Sequence, residues 1–319
     1  MRLVDRPFCV PQNEGVEEKK TAEDRTSKVG SWSRRLLFAL ATNERFERGM
    51  RTIPGGESTA YKRARRYVAG RTREDAFVVA RRLAGEGMAT SIDFFGESVF
   101  DSVEADRVAE SYVELASALS EAPEDTFLSL DLSHLGIDQS GDGARRRLER
   151  IAEALPPDRY VQVGAEEARR ADQILATVLA VAKTGGRVAA TVQANLRRSH
   201  ADAMALAEAK VPIRLVKGAY VEAPELVYPW GKATDDAFRE LARELHDAGA
   251  ELSLGTHDAA LRDSLLRDLR GTRVEMLLGV LPGDARSLVS RGVPVRVYVP
   301  YGQGWFRYAM RRWAESRGA

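Results

Sequence analysis

Cysteine and histidine are scarce: the 319-residue chain has one cysteine, Cys9, and four histidines, His134, His200, His246 and His257. A single cysteine cannot close an internal disulfide, and histidines so scattered give no metal-ligand spacing, so neither disulfide scaffolding nor a metal is expected. An excess of one charge sign is also missing. Lys+Arg 48 against Asp+Glu 47 leaves a formal charge of +1, without the basic footprint of a polyanion binder, and no nucleic-acid partner is expected. No apolar run approaches the ~18 to 20 residues a spanning helix needs, so no integral membrane segment is expected. No GxGxxG follows a strand-like run, which counts against a doubly wound dinucleotide fold.

What is present begins with a polar stretch. Residues 1–30 hold two prolines and twelve charges that cancel, with no apolar h-region, and are expected to be a flexible polar tail on a cytoplasmic protein. Apolar residues at helical spacing follow over 32–50 and again over 58–68. Thr72 with Glu74 and Asp75 has the chemistry of a helix start for 76–86, with Gly85 and Gly87 closing it. Residues 31–87 are therefore read as N-terminal helices.

From residue 88 to 319 the chain repeats. Short runs rich in β-branched or large apolar residues recur at 89–95, 127–132, 160–163, 187–192, 213–216, 252–254, 274–278 and 293–299, separated by amphipathic stretches. From Ile92 in the first to Val297 in the eighth there are 205 residues over seven steps, a mean of about 29 against the ~31 of an eight-unit barrel. The expected fold is α/β, a (β/α)8 TIM-type barrel with additional N-terminal helices. Its chemistry belongs at the C-terminal ends of the strands, which nominates acids such as Asp93 and Glu97, although an acid just past a strand is by default a helix cap.

Two motifs are more specific. Arg214-Leu-Val-Lys217-Gly218-Ala219-Tyr220 places two cations in an apolar strand ahead of a Gly-Ala step where backbone can approach a ligand. At the other end, Tyr308, Arg311, Arg312 and Glu315 share one face of a terminal helix, where two guanidiniums braced by an acid suit a substrate carboxylate. Together with Ser91-Ile-Asp-Phe-Phe-Gly-Glu97, Gln193, Thr256-His257-Asp258 and Tyr298-Val-Pro-Tyr-Gly302, these motifs resemble the FAD-dependent proline dehydrogenase family over all but the first ~55 residues. The resemblance implies FAD held by Gln193, Arg214, Lys217, Gly218, Ala219, Thr256 and His257, with Arg214 beside the flavin N5. It further implies Arg311 and Arg312 on the substrate carboxylate, and Tyr220, Leu277, Tyr298 and Tyr308 walling the pocket. Hydride removal from the carbon next to an amine follows, and the catalytic set is read as Arg214, Tyr298 and Asp131, the last being this chain's own and not a family residue.

Three positions depart from the family pattern. Asp131 stands where the family has a strand-two lysine, Gly164 where it has a strand-three aspartate, and Glu275 where a strand-seven glutamine is usual. Losing the lysine and aspartate together avoids stranding a buried charge. The expectation is an empty space at Gly164, a new acid at the amine end, and a proline-like or N-substituted amino acid as substrate; L-proline itself, giving 1-pyrroline-5-carboxylate, is the alternative. A Schiff-base aldolase using Lys217, one of eight lysines, or a non-catalytic barrel, are the readings from other classes. The electron acceptor stays open between a quinone and oxygen, and peripheral membrane contact stays open with it.

Overall fold

The computed structural model describes residues 56–96 and 98–315. The polar tail, the helix expected over 32–50, Cys9 and Glu97 lie outside them. The chain divides into two compact units, Ser58–Phe306 and a second joining Met1–Glu57 with Arg307–Ala319.

In the first unit eight parallel strands close a barrel in chain order. They are β1 (Ala89–Phe94), β2 (Thr126–Leu130), β3 (Val161–Val163), β4 (Val188–Gln193), β5 (Ile213–Val216), β6 (Leu252–Gly255), β7 (Arg273–Leu277) and β8 (Val295–Tyr301). Two helices lead in, α1 (Gly56–Ala64) and α2 (Arg73–Gly85). One helix then follows each strand: α3 (Ser102–Ala118), α4 (Gly141–Glu153), α5 (Ala171–Lys183), α6 (Ser199–Glu208), α7 (Lys232–Asp247), α8 (Ala259–Asp268), α9 (Pro282–Ser290) and α10 (Trp305–Glu315). The expected (β/α)8 barrel is the observed one.

Local chemistry explains the element ends. Thr72 caps α2 in a capping box, its Oγ1 accepting from Asp75 N at 3.2 Å while Asp75 Oδ2 accepts from Thr72 N at 3.1 Å. Asp101, Ser140 and Asp258 cap α3, α4 and α8 by the first of these two bonds, each side-chain oxygen accepting from the backbone N–H three residues on. The second strand stops at Leu130, two residues earlier than expected, because 131–136 turn on themselves, with His134 N donating to Asp131 O at 3.1 Å and Gly136 at φ +77. The helix after β3 starts only at Ala171, after a 3-10 turn over Ala168–Arg170. Here Glu166 is committed to the Ser133 N–H at 2.9 Å and to Arg170 Nη1 at 3.0 Å.

The strands alternate in a way that fixes where the core and the site go. Ile92, Leu128, Leu130, Val163, Leu215, Leu254 and Val274 are fully buried and face the helices, each contributing about 1.5 to 3 kcal/mol by leaving water. Residues of the opposite parity line the barrel interior, and many are polar: Asp93, Ser129, Gln162, Thr191, Arg214, Glu275 and Arg296. A barrel of this kind is ordinarily filled with branched apolar side chains. This interior holds charge instead.

Candidate active site

The interior polar residues form a hydrogen-bonded course from β3 round to β7, which an ion pair carries on to β8. Gln162 Nε2 donates to Thr191 Oγ1 at 3.1 Å. Arg214, registered opposite Thr191, donates to the same oxygen from Nε at 3.2 Å and from Nη2 at 3.0 Å. Its Nη1 donates to Glu275 Oε2 at 3.3 Å. Glu275 is paired in register with Arg296, whose Nη1 lies 3.8 Å from Glu275 Oε1 and whose guanidinium sits 3.5 Å from the Phe127 ring centroid. Both Glu275 and Arg296 are about 5% exposed or less. Burial pulls the Arg296 guanidinium down to about 10, against the attraction of Glu275. The departure at Glu275 is thus explained by its neighbour: a carboxylate between two guanidiniums is compensated where a lone one would not be.

At the β1–β8 seam, Tyr298 Oη donates to Asp93 Oδ2 at 2.6 Å. Asp93 caps no helix, since Asp101 caps α3, so the default reading of this acid is corrected. Tyr112 Oη lies 3.4 Å from Asp93 Oδ1, donates to Phe94 O at 2.9 Å and is 3.2 Å from His134 Nδ1.

Gly164 does not leave an empty space. Leu130 and Val163 are register partners, which brings Asp131 opposite Gly164. The Asp131 carboxylate fills the space expected to be empty: a Cβ on Gly164 would lie 1.8 Å from Asp131 Oδ1. Acid and glycine are therefore one feature, the glycine making room for the carboxylate.

Beyond β5 the chain opens into the Lys217–Tyr220 segment. Lys217 Nζ is 2.6 Å from Asp235 Oδ1 and 2.8 Å from Asp258 Oδ2. Burial would lower its pKa, but the two carboxylates outweigh burial and hold it above the ordinary lysine value. A lysine held so firmly as an ammonium is no nucleophile, which removes the aldolase reading. Gly218 has φ +111, and a Cβ there would lie 2.0 Å from Asn195 Oδ1, so only glycine fits. Asn195 is buried, and its Oδ1 has no hydrogen-bond partner among the described residues. Sequence reasoning missed Asn195, because nothing local marks an asparagine after a strand as facing the loop of the next one.

The other nominated residues are less concentrated. Gln193 Nε2 donates to Glu166 O at 2.8 Å, Thr256 Oγ1 accepts from Asp258 N at 3.1 Å, and His257 Nε2 accepts from Leu277 N at 3.2 Å, which puts the ring proton on Nδ1. Ala219 and Tyr220 are exposed in the loop after β5. Tyr308, Arg311 and Arg312 belong to the second unit, where α10 sets them on one face with the Arg312 guanidinium 5.2 Å from the Tyr308 ring centroid. The Glu315 side chain is outside the described residues. No group of His, Cys, Asp and Glu among the described residues could hold a metal.

A (β/α)8 barrel with charge along its interior and a cation-bearing Gly loop at the strand ends is built to act on a small polar molecule. The family model described as proline dehydrogenase matches residues 77–319. Among curated relatives, Proline dehydrogenase 1 of Bacillus subtilis (strain 168) is 33% identical over 260 residues, 79% of this chain and 86% of the relative. The proline dehydrogenase of Deinococcus radiodurans is 29% identical over 266 residues, with the same coverage, 79% and 86%. Among solved structures, proline utilization A from Bdellovibrio bacteriovorus inactivated by N-propargylglycine superposes with a TM-score of 0.74 at 18% identity. The match covers 89% of this chain but 36% of that one, and shows the shared fold.

The chain belongs to the proline dehydrogenase family. It is a flavin-dependent oxidoreductase that uses FAD to oxidise its substrate at the carbon next to nitrogen, giving an imine-type product. The residues present fit that cofactor: the buried Asn195 acceptor has no donor among the described residues, Gly218 leaves the loop without a side chain, and Arg214 supplies a guanidinium.

Proposed function

We propose that the substrate is a secondary-amine amino acid, proline-like or substituted on nitrogen, and that Asp131 selects it at the amine end. The observation that supports this most is the Asp131 carboxylate lying over Gly164, 1.8 Å from where a Cβ would stand. That carboxylate accepts a hydrogen bond from a nitrogen carrying its own donor and favours its ammonium form. Bound FAD supplies the two-electron acceptor for the hydride. Arg214, oriented by Thr191 and Glu275, presents a fixed guanidinium to it, while Gln193, Lys217, Gly218, Ala219, Thr256 and His257 complete the cofactor contacts. By resemblance Arg311 and Arg312 are the candidates for the substrate carboxylate, and Tyr220, Leu277 and Tyr298 the candidates for the barrel's side of the pocket. L-proline itself is the second reading, favoured by the curated relatives' name at 33% identity.

The test is a steady-state assay with an artificial electron acceptor across L-proline, N-methylglycine and other N-alkyl amino acids. Proline is expected to rank below the best amine by more than tenfold in kcat/KM; a smaller gap returns the substrate to proline. Since the only cysteine, Cys9, lies in the polar N-terminal stretch and the nominated cofactor residues offer hydrogen bonds and charge, we expect the flavin to be held without a covalent link. Acid precipitation of the holoenzyme should leave it in the supernatant, and a yellow pellet would contradict this. Arg312→Ala should weaken binding of substrate and of carboxylate analogues by about 1.5 to 3 kcal/mol, the worth of a charge-assisted hydrogen bond, while the flavin spectrum persists. Lost flavin with unchanged substrate affinity would make the arginine structural. No helix among the described residues is long and apolar enough to cross a membrane. A quinone or oxygen as final acceptor, and a cytoplasmic location with peripheral membrane contact, complete the proposal.

A further inference from the structure

Removing hydride from the carbon beside an amine needs a nitrogen lone pair, so an ammonium substrate must first lose a proton. Asp131 favours the ammonium and is poorly suited to take it. Asp93 is the acid at the strand ends to which no role has yet been given. It is 8% exposed and forms no salt bridge among the described residues. Its one short hydrogen bond comes from Tyr298 at 2.6 Å. Tyr112 is 3.4 Å from the other oxygen, but its single proton goes to the Phe94 carbonyl at 2.9 Å. Ionised Asp93 thus has one good donor for two oxygens, which leaves it ready to accept a proton.

We propose that Asp93 accepts the substrate's ammonium proton through the Tyr298 hydroxyl. One proton passes from nitrogen to Tyr298 Oη as the Tyr298 proton passes to Asp93 Oδ2. The ammonium becomes a neutral amine, the carboxylate becomes a carboxylic acid, Tyr298 ends unchanged, and no electrons move in this step. The inference rests on the reading that the amine lies on the Asp131 and Tyr298 side of the site.

The groups facing Asp93 leave it the one that titrates near neutrality. Burial pushes Asp93 up to about 7, against the Tyr298 hydrogen bond, the Arg214 charge from β5 and the Tyr112 contact. Burial together with Asp93, Asp131 and Tyr301 keeps Tyr112 of α3 a neutral phenol, and burial holds His134, after β2, down at about 4 and so neutral. Tyr301 of β8 is itself pushed up by burial.

The experiment is rapid-mixing reduction of the flavin in the holoenzyme by L-proline and by N-methylglycine, from pH 5.5 to 9.5, at subsaturating amine. Wild-type rates should rise through a midpoint near 7. Asp93→Asn should be slower at pH 7 by at least a hundredfold, lose that midpoint, and close to within tenfold of wild type at the alkaline end. Tyr298→Phe, which keeps the carboxylate but severs the relay, should show the same loss with the flavin bound.

Should Asp93→Asn not retain flavin, Tyr298→Phe and the apoprotein decide. A raised acid keeps its proton in the folded chain up to about 7 while the unfolded chain releases it near pH 3.9, so its share of stability falls as pH rises between those values. The difference in Tm between wild-type and Asp93→Asn apoproteins should therefore change across that window. Tyr298→Phe within threefold of wild type at pH 7, a midpoint unmoved in either variant, or a flat Tm difference overturns the role of Asp93. Reduction by amines with an unmoved pH profile overturns it and leaves the proposed function standing; reduction by no secondary amine overturns both.

Discussion

Gly164→Asp made alone is expected to cut turnover by a hundredfold or more and to destabilise the chain, whereas the same change made with Asp131→Lys is expected to recover much of both. The new Cβ would lie 1.8 Å from Asp131 Oδ1, closer than any real pair of such atoms, and a tight 3.1 Å from its Cγ, so the Asp131 side chain must move aside. Backbone strain plays no part, since Gly164 is not among the glycines at positive φ. The cost is overpacking of about 1 to 3 kcal/mol, with like-charge repulsion between two adjacent carboxylates added to it. In the double variant the lysine reaches over position 164 and pairs with the new acid. Residues in contact couple by about 0.5 to 3 kcal/mol, so the double should be better than the sum of the singles. Thermal unfolding and a kcat/KM panel measure this: additive effects, or no tenfold move toward proline in the double, would show that the two positions are independent.

Arg214→Met should be the most damaging change in the barrel interior. It removes three hydrogen bonds and leaves Glu275, 5% exposed, with Arg296 at 3.8 Å as its nearest cation. Breaking one partner out of a buried ion pair costs about 3 to 5 kcal/mol, and Arg296 offsets part of that. Flavin should be lost or bound at least tenfold more weakly. Adding Glu275→Gln removes the stranded charge, so the double variant should unfold at a higher temperature than Arg214→Met alone while staying inactive. Arg214→Lys should resemble Met more than Arg in activity, because a compact ammonium lacks the planar fork that spans Thr191 and Glu275. A double variant no more stable than the single would mean that Arg296 already neutralises Glu275.

The alternation of strand and helix, the N-cap at Thr72, and the motifs from Arg214 to Tyr220 and from Tyr308 to Glu315 were readable from the chain alone. Each is local: an apolar period, an N-cap with its acid three residues on, or residues one helical turn apart. The family followed from the same motifs. What the tertiary structure decided depends on which strands lie side by side and in what register, and local sequence does not carry that. Thr191 and Arg214 are 23 residues apart, and Arg214 and Glu275 are 61 apart. Only the closed barrel makes them one course of hydrogen bonds, with Arg296 completing the charge balance. Asp93 reads as a helix cap until β8 brings Tyr298 to it from 205 residues away. Gly164 reads as a vacancy until the β2–β3 register lays Asp131 across it, because a missing side chain looks the same in sequence whether the space is empty or taken by a neighbour.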